Sequence, residues 1–441
     1  MLRSGPLMSS AQLGSAILPL ALLIATAHIL GYLFTRVRQP RVIGEIAAGV
    51  LFGPALLGRA FPGWQSATFG TAGHTERGVV LEFVYWMGLL FLMFASGAET
   101  RNLFSKEDRR QVGWLAAIGT GLPFVITIAA LPFLPVDGLM GSAHQRTALC
   151  LVIGIAVAVT SIPVISKIFF DLKILHTRFA RLVLGVAVIE DILLWVVLAI
   201  ATALAKSGVL PKHEIAAHVA VTILYFGAGL TVLPRLLRWL ARARWNLLAI
   251  ASPVGYLVAV LFAYTALAAL MDVNLVFAAF LAGFAIASER ELFDEPLRAL
   301  NQFTFAVFVA PYFAIVGYKL DLTRSFSFWG LVVFVAIACV IKLIAVACGA
   351  RAAGFRGLDV INLAVATNAR GGPGIVLASV AFDAGIVNAT FYTTLVLLAV
   401  LTSQAAGAWL DLVLRRGWPL LSGAPNTVAV AENEGPEIAA A

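Results

Sequence analysis

Long apolar runs, separated by short polar segments, occupy most of the chain. Many of these runs contain the 18 or more residues that a helix needs to cross a hydrocarbon layer about 30 Å thick. The pattern therefore predicts membrane-spanning helices. Thirteen are predicted, at residues 13–34, 42–57, 80–96, 112–135, 147–169, 179–205, 215–240, 250–270, 273–289, 300–318, 328–350, 359–383 and 389–414.

Two of the predicted spans, the fifth and the twelfth, carry helix-breaking residues near their centres. The breakers are Thr160, Ser161 and Pro163 in the fifth span, and Gly371, Gly372 and Pro373 in the twelfth. These spans hold corresponding positions if the thirteen divide into six, a linker and six, which predicts two six-helix repeats of inverted topology. A break inside a membrane frees backbone carbonyls, which is tolerated only where they line a cavity or are buried in protein.

Composition and charge agree with a membrane protein. The chain is 61% hydrophobic and 12% charged, whereas soluble domains average about 45–50% and about 25%. The formal charge of +8 does not indicate nucleic-acid binding, because the basic residues lie in loops. Twenty-one of them fall on one side of the predicted spans and eight on the other, which places the N-terminus outside and the C-terminus in the cytoplasm. The eight are Arg3, Arg59, Arg77, Arg146, Lys206, Lys212, Lys319 and Arg324.

Four ionised residues fall inside predicted spans: Glu190 and Asp191 in the sixth, Lys342 in the eleventh and Arg370 in the twelfth. A charge at mid-membrane costs about 2.5–3.5 kcal/mol on insertion scales, so it usually faces a partner or a cavity. One interpretation is that the four only form ion pairs that hold helices together. Neighbouring residues on a helix point about 100° apart, however, so Glu190 and Asp191 cannot both face Lys342, and one should face something else.

The remaining groups suggest a cation site. Asp191, the hydroxyls of Thr160 and Ser161, and freed carbonyls would supply the oxygen ligands that a hard monovalent cation prefers, and a carboxylate in such a place can hold a proton instead. Arg370 would offset the negative end of a half-helix. We expect no cofactor. An enzyme is not expected either, because the six histidines are scattered and no HExxH motif occurs.

Five segments give the chain a family resemblance. They are QPRVIGEIAAGVLFGPALLG (39–58), GLLFLMFASGAE (88–99), AVAVTSIPVISKIFFDLKIL (156–175), VIEDILLWVV (188–197) and TNARGGPGIVL (367–377). In these segments the chain resembles the second branch of the monovalent cation:proton antiporter superfamily, the sodium/hydrogen exchanger superfamily. The resemblance implies an all-α polytopic membrane protein that forms homodimers in the cell (inner) membrane. In it, a core of spans 4–6 and 11–13 slides against a fixed scaffold, and the two broken helices cross in that core.

The resemblance also implies a division of the chain and roles for the buried charges. Scaffold helices occupy 1–111 and 250–327, core helices 112–214 and 328–416, and a linker helix 215–249. Composition, not the resemblance, predicts a disordered cytoplasmic tail at 417–441, which has too few large apolar side chains to bury a core. Asp191 takes the place of the aspartate that carries the cation and the proton. Lys342 matches a lysine that pairs with the preceding acid, for which this chain has Glu190.

The activity expected from the resemblance is exchange of Na⁺ or K⁺ for protons, serving pH homeostasis. The partners are monovalent cations, protons and the lipid bilayer. The alternative is a channel-like potassium efflux protein gated by a separate partner. The sequence leaves open the preferred cation and, because of Glu190, the number of protons exchanged for each cation.

Overall fold

The computed structural model describes residues 10–36, 39–69, 76–100, 108–206, 212–320, 322 and 326–422, and these form a helical protein. The helices of the N-terminal half are α1 (Ser10–Arg36), α2 (Arg41–Phe52), α3 (Leu57–Ala60), α4 (Pro62–Phe69), α5 (Glu76–Thr100), α6 (Arg109–Ala130), α7 (Arg146–Ala158), α8 (Ile162–Asp171) and α9 (Arg178–Lys206). Those of the C-terminal half are α10 (Lys212–Arg242), α11 (Leu247–Ala251), α12 (Pro253–Leu270), α13 (Leu275–Ile286), α14 (Arg290–Thr304), α15 (Ala310–Tyr318), α16 (Phe328–Ala352), α17 (Leu358–Ala366), α18 (Gly371–Asp383) and α19 (Ala389–Arg415).

Ten helices in the described part of the chain are long and apolar enough to cross a membrane. This agrees with the prediction of a helical polytopic membrane protein. Three predicted spans lack such a helix. Those at 147–169 and 359–383 are each broken into two helices, and the helix of the span at 273–289, α13, has only 12 residues.

The helices pack in two groups. In the scaffold group, α5 packs on α13, and α2 packs on both α1 and α15, with α10 and α12 against α13. In the core group, α6 packs on α16 and α7, α7 packs on α9, and α18 packs on α19 and α8. Helices α9 and α10 connect the two groups. The core group thus contains both broken pairs, α7 with α8 and α17 with α18.

Glycines allow two very close helix crossings in the scaffold group. A Cβ atom on Gly49 of α2 would lie 1.7 Å from the carbonyl oxygen of Ala314, and one on Gly317 of α15 would lie 2.0 Å from that of Ile46. Helices α5 and α13 cross in the same way through Gly97 and Gly283. Small residues at such crossings let backbones approach closely, which increases packing where lipid offers no hydrophobic driving force.

The first two-thirds of α14 lie where the sequence predicted a loop. Residues 290–299 begin α14, which continues through a π-helical turn at Phe305–Val309 into α15. The predicted spans at 273–289 and 300–318 leave this segment as a loop between them. It is instead amphipathic, with Phe293, Leu297 and Leu300 buried on one face, and the i, i+4 pair Arg298–Asp294 at 2.5 Å on the other.

The predicted disordered tail begins too early. Residues 417–422 pack against α17. There, the Asn362 side chain donates to the carbonyl of Leu420 at 3.1 Å, and the Ser422 amide donates to Asp359 at 2.8 Å. Leu420 and Leu421 are buried. The prediction is wrong for these residues because two buried leucines and four hydrogen bonds fix them on a packed helix. Residues 423–441 lie outside the described part of the chain.

Candidate functional site

The two broken helices meet at their interruptions. The chain leaves helical geometry at residues 159–161, between α7 and α8, and at residues 367–370, between α17 and α18. The amide of Ser161 donates to the carbonyl of Ala369 at 2.8 Å, and the Thr160 hydroxyl donates to the carbonyl of Thr367. Each interruption therefore satisfies backbone groups that the other one leaves open.

Of the predicted helix breakers, Thr160 and Ser161 lie in the first gap, whereas the prolines and glycines lie at the starts of the second half-helices. Pro163 belongs to the first turn of α8, where a missing N–H costs nothing. Gly371, Gly372 and Pro373 belong to the first turn of α18. Gly371 has φ +39°, and a Cβ atom there would lie 2.3 Å from Cγ2 of Val164. Glycine is required at this position by both its backbone conformation and the neighbouring side chain.

Arg370 and Lys342 bind the carboxyl end of α7. Arg370 donates through Nε to the carbonyl of Ala156 and through Nη2 to that of Val157, each at 2.8 Å. Lys342 donates to the next carbonyl, that of Ala158. The last carbonyls of a helix lack intrahelical partners and carry the negative end of its dipole. Two buried cations thus satisfy three successive carbonyls in the interior of the protein.

Arg370 also reaches beyond α7. It donates to the Asn368 side chain at 2.8 Å and to the carbonyl of Ala338 at 3.2 Å, and it is 1% exposed. Within the described residues, the Arg370 guanidinium donates to five neutral oxygens and forms no ion pair with a carboxylate. The sequence predicts that Arg370 offsets the negative end of a half-helix, and this role stays a prediction.

Glu190 and Lys342 form a fully buried ion pair. Lys342 Nζ lies 2.7 Å from Glu190 Oε1, and both side chains are 0% exposed. The Thr120 hydroxyl of α6 donates to the same oxygen. Sequence reasoning missed Thr120, since a single threonine in an apolar span gives only a weak signal. The pair compensates two charges whose isolated burial would cost several kcal/mol each.

Asp191, the next residue of α9, has no such compensation. Its side chain is 0% exposed, and neither carboxylate oxygen accepts a hydrogen bond from any described residue. The backbone amide of Ile162, at the start of α8, interacts with the carboxylate but lies outside hydrogen-bond geometry. Two more buried oxygens, Ser161 Oγ and Glu190 Oε2, likewise lack a donor within the described residues. Each unsatisfied buried polar group costs about 1–3 kcal/mol, so these oxygens are suited to hold a proton or a small cation.

Hydroxyl groups of α19 complete the second break. Thr402 accepts from the amide of Arg370 at 3.3 Å, and Ser403 accepts from the amide of Gly371 at 3.1 Å. Both are buried. They satisfy amides at the start of α18 that have no intrahelical acceptor. Sequence reasoning missed these two residues because their partners lie about thirty residues away along the chain.

A cavity of about 710 Å³ opens between the scaffold and core groups and reaches the start of α18. Its wall includes Glu45 and Glu99 from the scaffold group, and Val164, Gly372 and Pro373 from the core group. Glu99 is close enough to Asp191 to interact with it electrostatically. The cavity therefore provides a route from one surface of the protein toward the broken helices.

Known proteins resemble this chain over most of its length. A family described as "Sodium/hydrogen exchanger, transmembrane" matches residues 23–416. Cation/H(+) antiporter 18 of Arabidopsis thaliana is 27% identical over 396 residues, which are 88% of this chain and 47% of that protein. The Na(+)/H(+)-K(+) antiporter GerN of Bacillus cereus is 25% identical over 390 residues, which are 87% of this chain and 92% of that protein.

A solved structure shares the fold. The sodium proton antiporter MjNhaP1 from Methanocaldococcus jannaschii superimposes with a TM-score of 0.66 at 13% identity, over 92% of this chain and 99% of its own. The chain spans about half the length of several of the curated relatives that it matches.

Proposed function

The chain belongs to the sodium/hydrogen exchanger family, and on this premise we propose that it is a secondary antiporter that exchanges a monovalent cation, Na⁺ or K⁺, for protons. Transporters, not enzymes, make up the relatives it matches. The observation that carries the proposal is Asp191, a fully buried carboxylate with no hydrogen-bond donor among the described residues, beside two crossing helix breaks.

In this proposal a proton and a cation compete for Asp191. Protonation neutralises the carboxylate and expels the cation, and cation binding expels the proton. Ser161 Oγ and freed carbonyls near the break add oxygen ligands, while the Thr160 hydroxyl holds the two breaks together. Only an occupied or neutralised site crosses the membrane, because moving a bare charge through a low-dielectric region is costly.

Glu190 determines how many protons are exchanged. If the Glu190–Lys342 pair stays closed, one proton moves for each cation, and exchange is electroneutral. If cation binding opens the pair and Lys342 gives up the proton that it holds in the ion pair, two protons move for each cation and exchange carries charge. We propose that the pair opens when the cation binds, since Glu190 Oε2 is already without a donor in the described chain and Lys342 keeps the carbonyl of Ala158 as a second partner.

The proposed transport cycle is an elevator motion. The core group, with its two crossed broken helices, slides against the scaffold group, so that one site faces each side of the membrane in turn. Thirteen spans in two inverted six-helix repeats, a linker helix at 215–249 and a homodimer of scaffolds complete the proposed architecture. We place the protein in the cell (inner) membrane, with its N-terminus outside and pH homeostasis as its role.

Exchange in reconstituted vesicles tests the proposal. Addition of Na⁺, K⁺ or Li⁺ to vesicles with a preset proton gradient should relieve quenching of a pH dye for the wild-type protein, and Asp191→Asn should abolish the response. Lowering the pH on the cation side should raise the apparent KM for the cation without changing the maximal rate, because proton and cation compete. Asp411→Asn removes an acid from a peripheral i, i+4 pair with Arg415 and serves as the matched control.

The outcomes separate the candidate functions. Full exchange by Asp191→Asn would contradict the proposal. Cation flux that is uncoupled from protons, at rates far above carrier turnover, would indicate the channel-like potassium efflux protein instead.

A further inference from the structure

The core and scaffold groups are in contact at the carboxyl end of α18. Asp383, the last residue of α18, accepts a hydrogen bond from the Tyr85 hydroxyl of α5 at 2.6 Å. Its other oxygen lies 3.2 Å from Lys319 Nζ, which directly follows α15. Lys319 Nζ in turn lies 3.8 Å from the centre of the Tyr85 ring. We call these three residues, Tyr85, Lys319 and Asp383, the clasp.

A layer of tyrosines lies beneath the clasp. Tyr312 of α15 donates to Ser379 of α18 at 3.3 Å, and Tyr392 of α19 donates to the carbonyl of Val316 at 3.2 Å. The rings of Tyr85 and Tyr312 lie 5.2 Å apart. Tyr312, Tyr392 and Ser379 are all buried. Polar and ring contacts thus join the two groups across this end of α18.

The clasp and the cavity lie at opposite ends of one half-helix. The cavity reaches Gly372, Pro373 and Val376, in the first two turns of α18. Asp383 ends this helix of 13 residues, about 10 Å beyond Val376 and about 16 Å beyond Gly372 along the axis, at 1.5 Å per residue. The groups are therefore separated by a cavity at one end of α18 and in contact at the other, as expected when a site is open to one side only.

We propose that Tyr85, Lys319 and Asp383 form a gate, which closes the ion pathway on the side of the membrane opposite the cavity. This inference rests on the alternating access proposed above. Lys319 belongs to the basic residues that the charge pattern places outside, so the gate is external. For the site to face outside, α18 must move relative to α5 and α15, and the clasp must open.

The gate residues act by position, because they lie at the end of α18 away from the breaks and the proposed cation site. The Lys319 ammonium group forms an ion pair with Asp383, and the Tyr85 hydroxyl donates a hydrogen bond to the same carboxylate. Hydrogen bonds to a charged group are stronger than neutral ones. Removing the charge of Asp383 weakens both contacts at once, so Asp383→Asn should shift the population toward the outward-facing state.

Thiol labelling measures this shift directly. In a chain with Cys150, Cys339 and Cys348 replaced by serine, Ser379→Cys places a single thiol beneath the clasp. A membrane-impermeant maleimide, applied to the face that carries Lys319, should label this thiol about tenfold faster when Asp383→Asn is added. Asp137→Asn breaks the Arg146–Asp137 pair at 2.8 Å, a contact within the core group, and should leave the labelling rate unchanged.

A transport readout distinguishes a gate from a merely structural contact. If fewer molecules face the cavity side, the apparent KM for the cation on that side rises in Asp383→Asn, while the apparent KM on the opposite side falls. A contact that only stabilises the fold would not move the two values in opposite directions.

Further variants keep the inference testable if Asp383→Asn does not fold. Lys319→Gln and Tyr85→Phe each remove one partner of Asp383 and should raise the labelling rate in the same direction. Unchanged labelling in all folded clasp variants would overturn the gate. The labelling needs no transport activity. Loss of exchange in the wild type as well as in the variants would therefore count against the proposed function. Faster labelling of the clasp variants would still support the gate.

Discussion

The buried charges are arranged by two different principles at the scale of single residues. Lys342 and Arg370 bind carbonyls at the end of α7, and Lys342 also pairs with Glu190. Asp191 stands beside this network without a hydrogen-bond donor from any described residue. The adjacency of Glu190 and Asp191 explains the difference, because consecutive residues of a helix point in different directions. The sequence-based inference that one of the two acids faces something other than Lys342 agrees with this arrangement.

The Glu190–Lys342 pair predicts strongly coupled effects on stability. Lys342→Met alone leaves Glu190 buried beside Thr120 without a cation, and should cost about 3–5 kcal/mol. Adding Glu190→Gln removes the uncompensated charge, so the double variant should be more stable than Lys342→Met. Thermal unfolding in detergent of the wild-type protein, Lys342→Met, Glu190→Gln and the double variant measures this coupling. Additive losses from the two substitutions would show that the two side chains do not depend on each other.

At the scale of helices, the breaks depend on each other. Each interruption supplies partners to the other one, through Ser161, Ala369, Thr160 and Thr367. Neither break would be stable alone in a membrane, because unsatisfied backbone groups cost several kcal/mol there. The sequence marked the first break correctly at Thr160 and Ser161, whereas the glycines and prolines that it also named lie a few residues after the gaps. Those residues begin the second half-helices, and the gaps themselves contain ordinary residues such as Val159 and Ala369.

Two adjacent glycines of α18 should respond differently to alanine. Gly371→Ala must place a Cβ atom 2.3 Å from Val164 Cγ2 at φ +39°, whereas an added Cβ at Gly372 meets nothing within 4 Å. We expect Gly371→Ala to lower stability by about 1–3 kcal/mol, and Gly372→Ala to be neutral or slightly stabilising in a helix. The unfolding midpoints of the two variants provide the comparison. Equal midpoints would show that the approach of α18 to α8 does not require glycine.

At the scale of the whole molecule, the scaffold and core groups meet along α18 in two ways. A cavity of about 710 Å³ separates them at one end, and the clasp joins them at the other. The two close crossings of the scaffold group, α2 with α15 and α5 with α13, leave no room for a side chain. The core group is held instead by buried polar contacts around its breaks. A scaffold locked by backbone contact is suited to remain fixed while the core group moves.

The charge asymmetry predicts how the molecule lies in the membrane. Twenty-one basic residues against eight place the segment around Gly138 outside and Arg416 in the cytoplasm. In a chain without native cysteines, Gly138→Cys should react with an impermeant thiol reagent in intact cells, and Arg416→Cys should react only after permeabilisation. Both positions are exposed. The reverse labelling pattern would invert the proposed topology, and with it the side of the gate.

The sequence alone determined that the protein is helical and lies in a membrane, because long apolar runs can satisfy their backbone groups in lipid only as helices. It also identified the buried charges, whose cost in lipid implies a partner or a role. It could not find Thr120, Thr402 or Ser403, and it misread residues 290–299 and 417–422. These residues depend on partners that are distant along the chain, and local composition does not record such contacts.

Only the tertiary structure decided that Arg370 binds carbonyls, that Lys342 contacts both Glu190 and α7, and that Asp383 contacts Lys319. Each of these contacts exists only once separate helices have packed.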